Sequence, residues 1–95
     1  MDCNGVQFSR HAIERMFQRA LPPRVVASVI VNSETVESYP DDTPYPSLLL
    51  LGFQNEHSVH VVVAKEPDSG LCHVITVYRP DLKVWSEDFK TRRKS

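Results

Sequence analysis

Three closely spaced apolar runs in the second half of the chain constrain its fold most strongly. They occupy residues 47–53, 58–65 and 71–78, and the segments between them contain turn-forming residues. The first run has four consecutive leucines, which is typical of a strand buried on both faces. Residues 34–39 alternate around Val36 and predict a fourth strand. Because short connections join antiparallel neighbours, we expect a mostly antiparallel, four-stranded sheet.

The first third of the chain predicts two helices. Residues 9–20 carry apolar side chains at helical spacing, and Ser9 is placed to cap the first turn. The proline pair at 22–23 ends this helix and suits the start of the next. Residues 25–30 are apolar at helical spacing, although their β-branched side chains equally suit a strand. Residues 6–8 form either a brief strand or a lead-in to the first helix. We therefore predict an α+β protein with two N-terminal helices packed on one face of the sheet.

The predicted sheet has more apolar surface than two helices can cover. If the loop before the last strand spans residues 67–70, Lys65 lies opposite Cys72 and His60 lies opposite Val77. Both faces of these two strands are then largely apolar. Either the C-terminal tail or a partner protein covers the second face. The apolar residues of that tail are Leu82, Trp85 and Phe89.

The net charge is small, but it is unevenly distributed. A formal net charge of −1 excludes attraction of polyanions through overall charge. Residues 1–24 have four arginines and two acids, residues 34–68 have seven acids and one lysine, and residues 79–95 have six bases and three acids. Basic ends around an acidic middle allow a local polyanion site. The length predicts a single domain over residues 1–95. Residues 80–95 form its tail, whose basic end is expected to be mobile or to contact phosphate.

Cysteine usage and hydropathy favour a cytoplasmic protein. Cys3 and Cys72 lack the CxxC spacing, so we expect free thiols, with Cys72 as a small core residue. No signal peptide is recognisable, and the longest apolar run, residues 48–51, is far too short to span a bilayer. These features predict a protein of the reducing cytoplasm without membrane contact.

A basic stripe follows the first predicted helix. His11, Arg15 and Arg19 succeed one another at four-residue spacing, and Glu14 is the only acid nearby. Like charges at this spacing repel by roughly a few tenths of a kcal/mol per pair. The stripe is therefore either a plain solvated helix face or a face that binds an anion.

Four segments spread over nearly the whole chain carry a family resemblance. They are the helical motif His11-Ala12-x-x-Arg15-Met16-x-x-Arg19, the proline-rich residues 39–47, and the strand residues 60–64 and 75–78. Through these segments the chain resembles a family of small bacterial and archaeal proteins that is known as a domain of unknown function and is similar to RelE/ParE-type and BrnT-type toxins. The proline-rich segment is fairly specific, whereas the strand segments are not.

The resemblance implies a compact α+β domain that belongs to a type II toxin–antitoxin pair. The implied partner is a small cognate antitoxin, which in some pairs carries a zinc-binding motif. RelE-type relatives cleave mRNA, whereas ParE-type relatives act on gyrase without that chemistry. Residues 20–23 replace a turn that more often contains glycine, and this departure leaves the expected fold unchanged.

Metal-independent cleavage of RNA needs a base for the 2′-hydroxyl proton, an acid for the leaving oxygen and cations for the phosphate charge. The candidate catalytic residues are His11 and Arg15, joined in space by Tyr78 or Arg79. The candidate substrate-binding residues are Arg19, Arg79 and His60. Each has a structural alternative, since a helix-face histidine is often solvated and a strand histidine or tyrosine is often hydrogen-bonded within the core.

No motif predicts a metal ion or a cofactor. The histidines lack metal-ligand spacing, no glycine-rich phosphate loop is present, and Asp41 and Asp42 are interpreted as turn residues. Three hypotheses follow. The first is a toxin-like, metal-independent mRNA endoribonuclease; the second is a non-enzymatic module that binds a protein through the second sheet face. The third is a homodimer that buries this face.

Overall fold

The computed structural model describes residues 1–94, which form two helices and a five-stranded sheet. The elements, in chain order, are β1 (Gly5–Phe8), α1 (Arg10–Gln18), α2 (Pro23–Val31), β2 (Glu34–Tyr39), β3 (Ser47–Gln54), β4 (His57–Lys65) and β5 (Leu71–Tyr78). The predicted α+β class and both helices are confirmed. The prediction of a four-stranded sheet is wrong, because the chain pairs a fifth strand at its N-terminal end.

The sheet is mixed, with the strand order β1-β5-β4-β3-β2. Strands β2 to β5 are antiparallel to their neighbours, whereas β1 lies parallel to β5 at the edge. A parallel pair needs a long crossover, and here the crossover contains both helices and three strands. Four residues are too few to show the period of a strand. The sequence therefore left residues 6–8 undecided between a strand and a lead-in.

Both helices begin where the sequence predicts. The Ser9 hydroxyl oxygen accepts a hydrogen bond from the Ala12 N–H at 3.0 Å and so caps α1. Pro23 is the first residue of α2, where a missing N–H leaves no helical bond unmade. Helix α2 packs directly on β3, because a side-chain carbon at Gly52 would collide with Val29. Within residues 1–94, neither nine-residue helix has the length and apolar character needed to cross a membrane.

A β-bulge in β5 changes the sheet face on which its last residues lie. Lys65 lies opposite Cys72 as predicted, but His60 lies opposite Tyr78 and not opposite Val77. The register shifts by one residue midway along the strand pair, and such a shift moves a side chain to the other face. Val77 is therefore buried in the core between the sheet and the helices, and Tyr78 lies beside His60 on the second face.

The C-terminal segment folds over one end of the second sheet face. Trp85 is only 2% exposed, and its ring meets the His60 ring edge-on with the centroids 4.6 Å apart. Two basic side chains of this segment reach acids on β2. The pairs are Lys90 with Glu34 at 3.1 Å and Arg92 with Glu37 at 3.5 Å. Lys90 and Arg92 of the basic end thus lie against the acidic middle of the chain, and the expected mobility of this end stays a prediction.

The two cysteines form a disulfide, so the prediction of two free thiols is wrong. Cys3 is bonded to Cys72, and their Cα atoms are 5.6 Å apart. The parallel pairing of β1 with β5 brings together residues 69 positions apart, and no local spacing can reveal such a pair. Because disulfides are typical of oxidising compartments, the cysteines no longer support the predicted cytoplasmic location.

Candidate functional site

Helix α1 carries His11 and Arg15 on one exposed flank, which continues to Arg19 at the helix C-cap. We call these three residues the basic flank. A residue advances about 100° around a helix, so the three side chains project within about 80° of one another. Ala12 and Met16, which are buried, turn the adjoining side of α1 into the core. The basic stripe expected from the sequence therefore faces solvent.

His11 is held at the edge of β5. Its Nε2 lies 3.1 Å from the Thr76 hydroxyl oxygen. The Ser9 hydroxyl donates to the Ile75 carbonyl at 3.0 Å, which anchors the start of α1 to the same strand. When the Thr76 hydroxyl oxygen accepts a hydrogen bond from the Nε2–H of His11, the Nδ1 atom is unprotonated. Its lone pair is then available, because the side chain is exposed. An imidazole in this tautomer can act as a general base.

The arginines of the basic flank have no carboxylate partner in the part of the chain that the structure describes. Among the described residues 1–94, the Arg15 guanidinium donates only to the Gln18 amide oxygen, at 3.5 Å. The single acid of α1, Glu14, pairs instead with Arg10 at 3.5 Å. The positive potential of the basic flank is therefore directed at solvent and can attract an anion.

Arg79 is held at the β3–β4 hairpin. Its Nη2 donates to the Gln54 amide oxygen at 2.9 Å, and its Nη1 donates to the Ser58 carbonyl at 3.5 Å. Within residues 1–94, no hydrogen bond links this half-buried guanidinium to His11 or Arg15. Its role in binding substrate stays a prediction.

Tyr78 and His60 lie on the second sheet face under the C-terminal segment. His60 is fully buried, with Nδ1 3.0 Å from the Tyr78 hydroxyl and Nε2 2.8 Å from the Phe89 carbonyl oxygen. Because a carbonyl can only accept, Nε2 carries the ring hydrogen and Nδ1 accepts from Tyr78. Burial also raises the pKa of Tyr78, so this hydroxyl holds its proton tightly. Within residues 1–94, no hydrogen bond joins Tyr78 to His11 or Arg15, and its catalytic role stays a prediction.

A family described as a domain of unknown function, DUF4258, matches residues 8–79 of the chain. The match begins just before α1 and continues past the end of β5, so it includes every candidate residue described above. This chain belongs to the DUF4258 family. No curated protein and no solved structure matches it significantly. The expected membership of a family of unknown function is confirmed, whereas the likeness to RelE-type and BrnT-type toxins stays a prediction.

The DUF4258 segment also contains a histidine–carboxylate pair that sequence reasoning missed. His73 Nε2 lies 2.7 Å from Glu66 Oε2, and the Tyr45 ring stacks on His73 with the centroids 5.8 Å apart. The hydrogen bond with His73 lowers the pKa of the Glu66 carboxyl group. Seven positions separate the two residues, and only the turn between β4 and β5 brings them together. These contacts tie that turn to the proline-rich segment.

Asp42 of the proline-rich segment makes the contacts of a turn residue. Its Oδ2 accepts from the Ser47 hydroxyl at 2.7 Å, and its Oδ1 accepts from the Thr43 N–H at 3.2 Å. In the described range 1–94, no three His, Cys, Asp or Glu side chains are grouped so that they could hold a metal ion.

Acid is expected to destabilise the protein through His60. Burial lowers the pKa of His60 below its usual 6.5, the Phe89 carbonyl opposes this shift, and the Arg92 charge adds to it. Below pH 6.5 the unfolded chain binds a proton that the folded chain excludes. Stability is therefore fully present above that pH and decreases as the pH falls. Urea unfolding measured from about pH 8 to about pH 5 should show this loss.

Substitution of His60 tests whether this residue causes the loss of stability in acid. His60→Asn should flatten the pH dependence, whereas His57→Asn, which changes an exposed histidine, should leave the wild-type slope unchanged. A His60→Asn protein with the wild-type slope would show that another group is responsible.

Proposed function

We propose that this DUF4258 protein binds the phosphate backbone of RNA through the basic flank and cleaves it without a metal ion, as a toxin-like endoribonuclease. One observation carries the proposal. A single exposed flank of α1 combines a histidine anchored through Nε2 with two arginines that lack carboxylate partners among residues 1–94. Guanidinium groups match phosphate oxygens, and an imidazole has the pKa range that proton transfer requires.

Each side chain of the basic flank has one role in the reaction. His11 Nδ1 takes the proton of a 2′-hydroxyl, and the 2′-oxygen attacks the adjacent phosphorus. The bond from phosphorus to the 5′-oxygen breaks, and this oxygen takes a proton from water, which leaves a 2′,3′-cyclic phosphate and a 5′-hydroxyl. Arg15 and Arg19 stabilise the negative charge of the phosphate in the transition state. Tyr78 has no part in this scheme, because it is bonded to His60 under the C-terminal segment.

The proposal includes a protein partner. The resemblance to toxins of toxin–antitoxin pairs supports a cognate antitoxin that covers the basic flank and so blocks access to RNA. A neighbouring small gene that encodes paired CxxC motifs would favour an antitoxin of the zinc-binding kind.

Binding of single-stranded RNA tests the proposal first. Arg15→Ala and Arg19→Ala should each weaken binding about tenfold, because each removes one charge-assisted contact to phosphate. The double variant should also lower the slope of log affinity against log salt concentration by about 1.4, at about 0.7 per contact. Fluorescence anisotropy of a labelled oligoribonucleotide at several salt concentrations measures both effects.

The matched control is Arg10→Ala, since Arg10 lies on another side of α1 and is paired with Glu14. It should leave RNA affinity within about twofold. If Arg10→Ala weakens binding as much as Arg15→Ala, only the total charge matters and the assignment to the basic flank is wrong.

His11→Ala separates cleavage from binding. It should reduce cleavage by a factor on the order of 10² or more, as expected for loss of a general base, and leave RNA affinity nearly unchanged. Expression of the wild-type protein alone should arrest growth, whereas the His11→Ala protein should be harmless. Wild-type protein that binds RNA but yields no cyclic phosphate would contradict the enzymatic part of the proposal.

A further inference from the structure

An apolar hollow lies where α1 meets the start of α2. It encloses about 490 Å³, and its walls include Ile13, Phe17, Leu21 and the two prolines at 22–23. The Phe17 side chain at its rim is 90% exposed, and Ile13 is 55% exposed. Large apolar side chains grouped in this way on a surface are typical of an interaction site.

A second hollow is lined by residues that follow Pro23 in the chain. It encloses about 360 Å³ between α2 and the β3–β4 hairpin, and its walls include Val25, Val29 and the half-exposed Phe53. Arg24 lines this second hollow, and Pro23, its neighbour in the chain, lines the first. An arginine therefore lies at the junction of the two hollows, of which the first is apolar and the second is lined by apolar and polar side chains alike.

The charge around the hollows is positive. Arg24 lines the second hollow, and neither hollow is lined by an acidic residue of the described range 1–94. The one acid among residues 9–33, Glu14, is paired with Arg10. In the described part of the chain no carboxylate pairs with Arg24. A second copy of the protein would bring a surface of the same sign against this one, whereas an acidic partner would be attracted to it.

We propose that the two hollows and Arg24 form a docking site for an acidic amphipathic segment of another protein. Apolar side chains of that segment occupy the hollows, and a carboxylate between them pairs with Arg24. The site is separate from the basic flank, because Ile13 and Phe17 each project about 160° around α1 from Arg15. RNA and the acidic segment can therefore be bound at the same time, and this inference does not depend on the proposed function.

A displayed library of random peptides, each about 15 residues long to allow four helical turns, supplies the probe. Selection on the full-length protein should enrich sequences with two apolar anchors on either side of Asp or Glu. Phe17→Ser and Arg24→Glu should each weaken the selected peptides at least tenfold. Val31→Ser is the matched control, because Val31 is 66% exposed on α2 and lines neither hollow. It should change affinity less than twofold.

Four results would overturn the proposal. They are enrichment of basic peptides, enrichment of none, binding that is insensitive to Phe17→Ser, and equal sensitivity to Val31→Ser. Light scattering that shows a dimer which Phe17→Ser dissociates would assign the hollows to a second copy instead. RNA binding by the Phe17→Ser protein should equal that of the wild type, so failure of this proposal is distinguishable from failure of the proposed RNA site.

Discussion

Reduction of the Cys3–Cys72 disulfide is expected to lower the free energy of unfolding by about 4 kcal/mol. The bond closes a loop that spans 69 positions, and a link across so long a segment strongly restricts the unfolded chain. It also joins the short edge strand β1, through the residues before it, to β5. A loss of this size is a large fraction of the stability of a small domain.

Urea unfolding of the oxidised and reduced wild-type protein measures the effect without any change in packing. With a slope of about 1–3 kcal/mol per molar urea, the midpoint should fall by more than about 1 M. A Cys3→Ala, Cys72→Ala double variant should not respond to the reductant. Two thiols that titrate in the folded protein before reduction would show that the disulfide is absent.

Trp85→Ala is expected to release the C-terminal segment and to cost about 3–5 kcal/mol. The Trp85 ring packs edge-on against His60, and the Arg92 guanidinium lies over it at 4.6 Å from the centroid. Truncation removes both contacts and uncovers His60, whose Nε2 then loses the Phe89 carbonyl as an acceptor. Trypsin should cleave the variant rapidly after Lys90 and Arg92 while the sheet stays intact.

Leu82→Ala is the control, because Leu82 belongs to the same segment but is half-exposed. It should cost less than about 1 kcal/mol and leave the cleavage rate unchanged. Wild-type resistance to trypsin in the Trp85→Ala protein would contradict the role given to this side chain.

The Cys3–Cys72 disulfide and the contact of Trp85 with His60 have a common arrangement. Each attaches a residue outside the segment matched by the family to a residue within it, since Cys3 and Trp85 lie outside residues 8–79 whereas Cys72 and His60 lie inside. The residues on both sides of the DUF4258 segment are therefore attached to it. The attachment on the N-terminal side lies at the β1–β5 edge, and the one on the C-terminal side lies across the second sheet face. The basic flank of α1 takes part in neither attachment.

The sequence predicted the elements well where a local signal was strong. Ser9 and Pro23 mark the starts of both helices, and the four apolar or alternating runs became β2 to β5. The exposed basic flank also follows from spacing alone, because a helix of known extent places residues four positions apart on one side.

The candidate site was predicted less completely, because part of it depended on register. One extra residue in β5 exchanged the sheet faces of Val77 and Tyr78 and so placed Tyr78 beside His60. A bulge of this kind has no local signature when every nearby residue suits a strand. The Glu66–His73 pair escaped notice for a related reason, since a turn and not a motif brings the two together.

Periodicity, capping residues and prolines were sufficient for the class of fold, the number of helices and the solvent-facing position of His11, Arg15 and Arg19. These properties depend on neighbours within a few positions along the chain. Three features depend on residue pairs that are tens of positions apart: the fifth strand, the disulfide and the attachment of Trp85 to His60. Many alternative pairings of the same residues have equally favourable local sequences. Packing of the whole chain selects among those pairings, because it must bury both sheet faces and satisfy the buried polar groups at the same time.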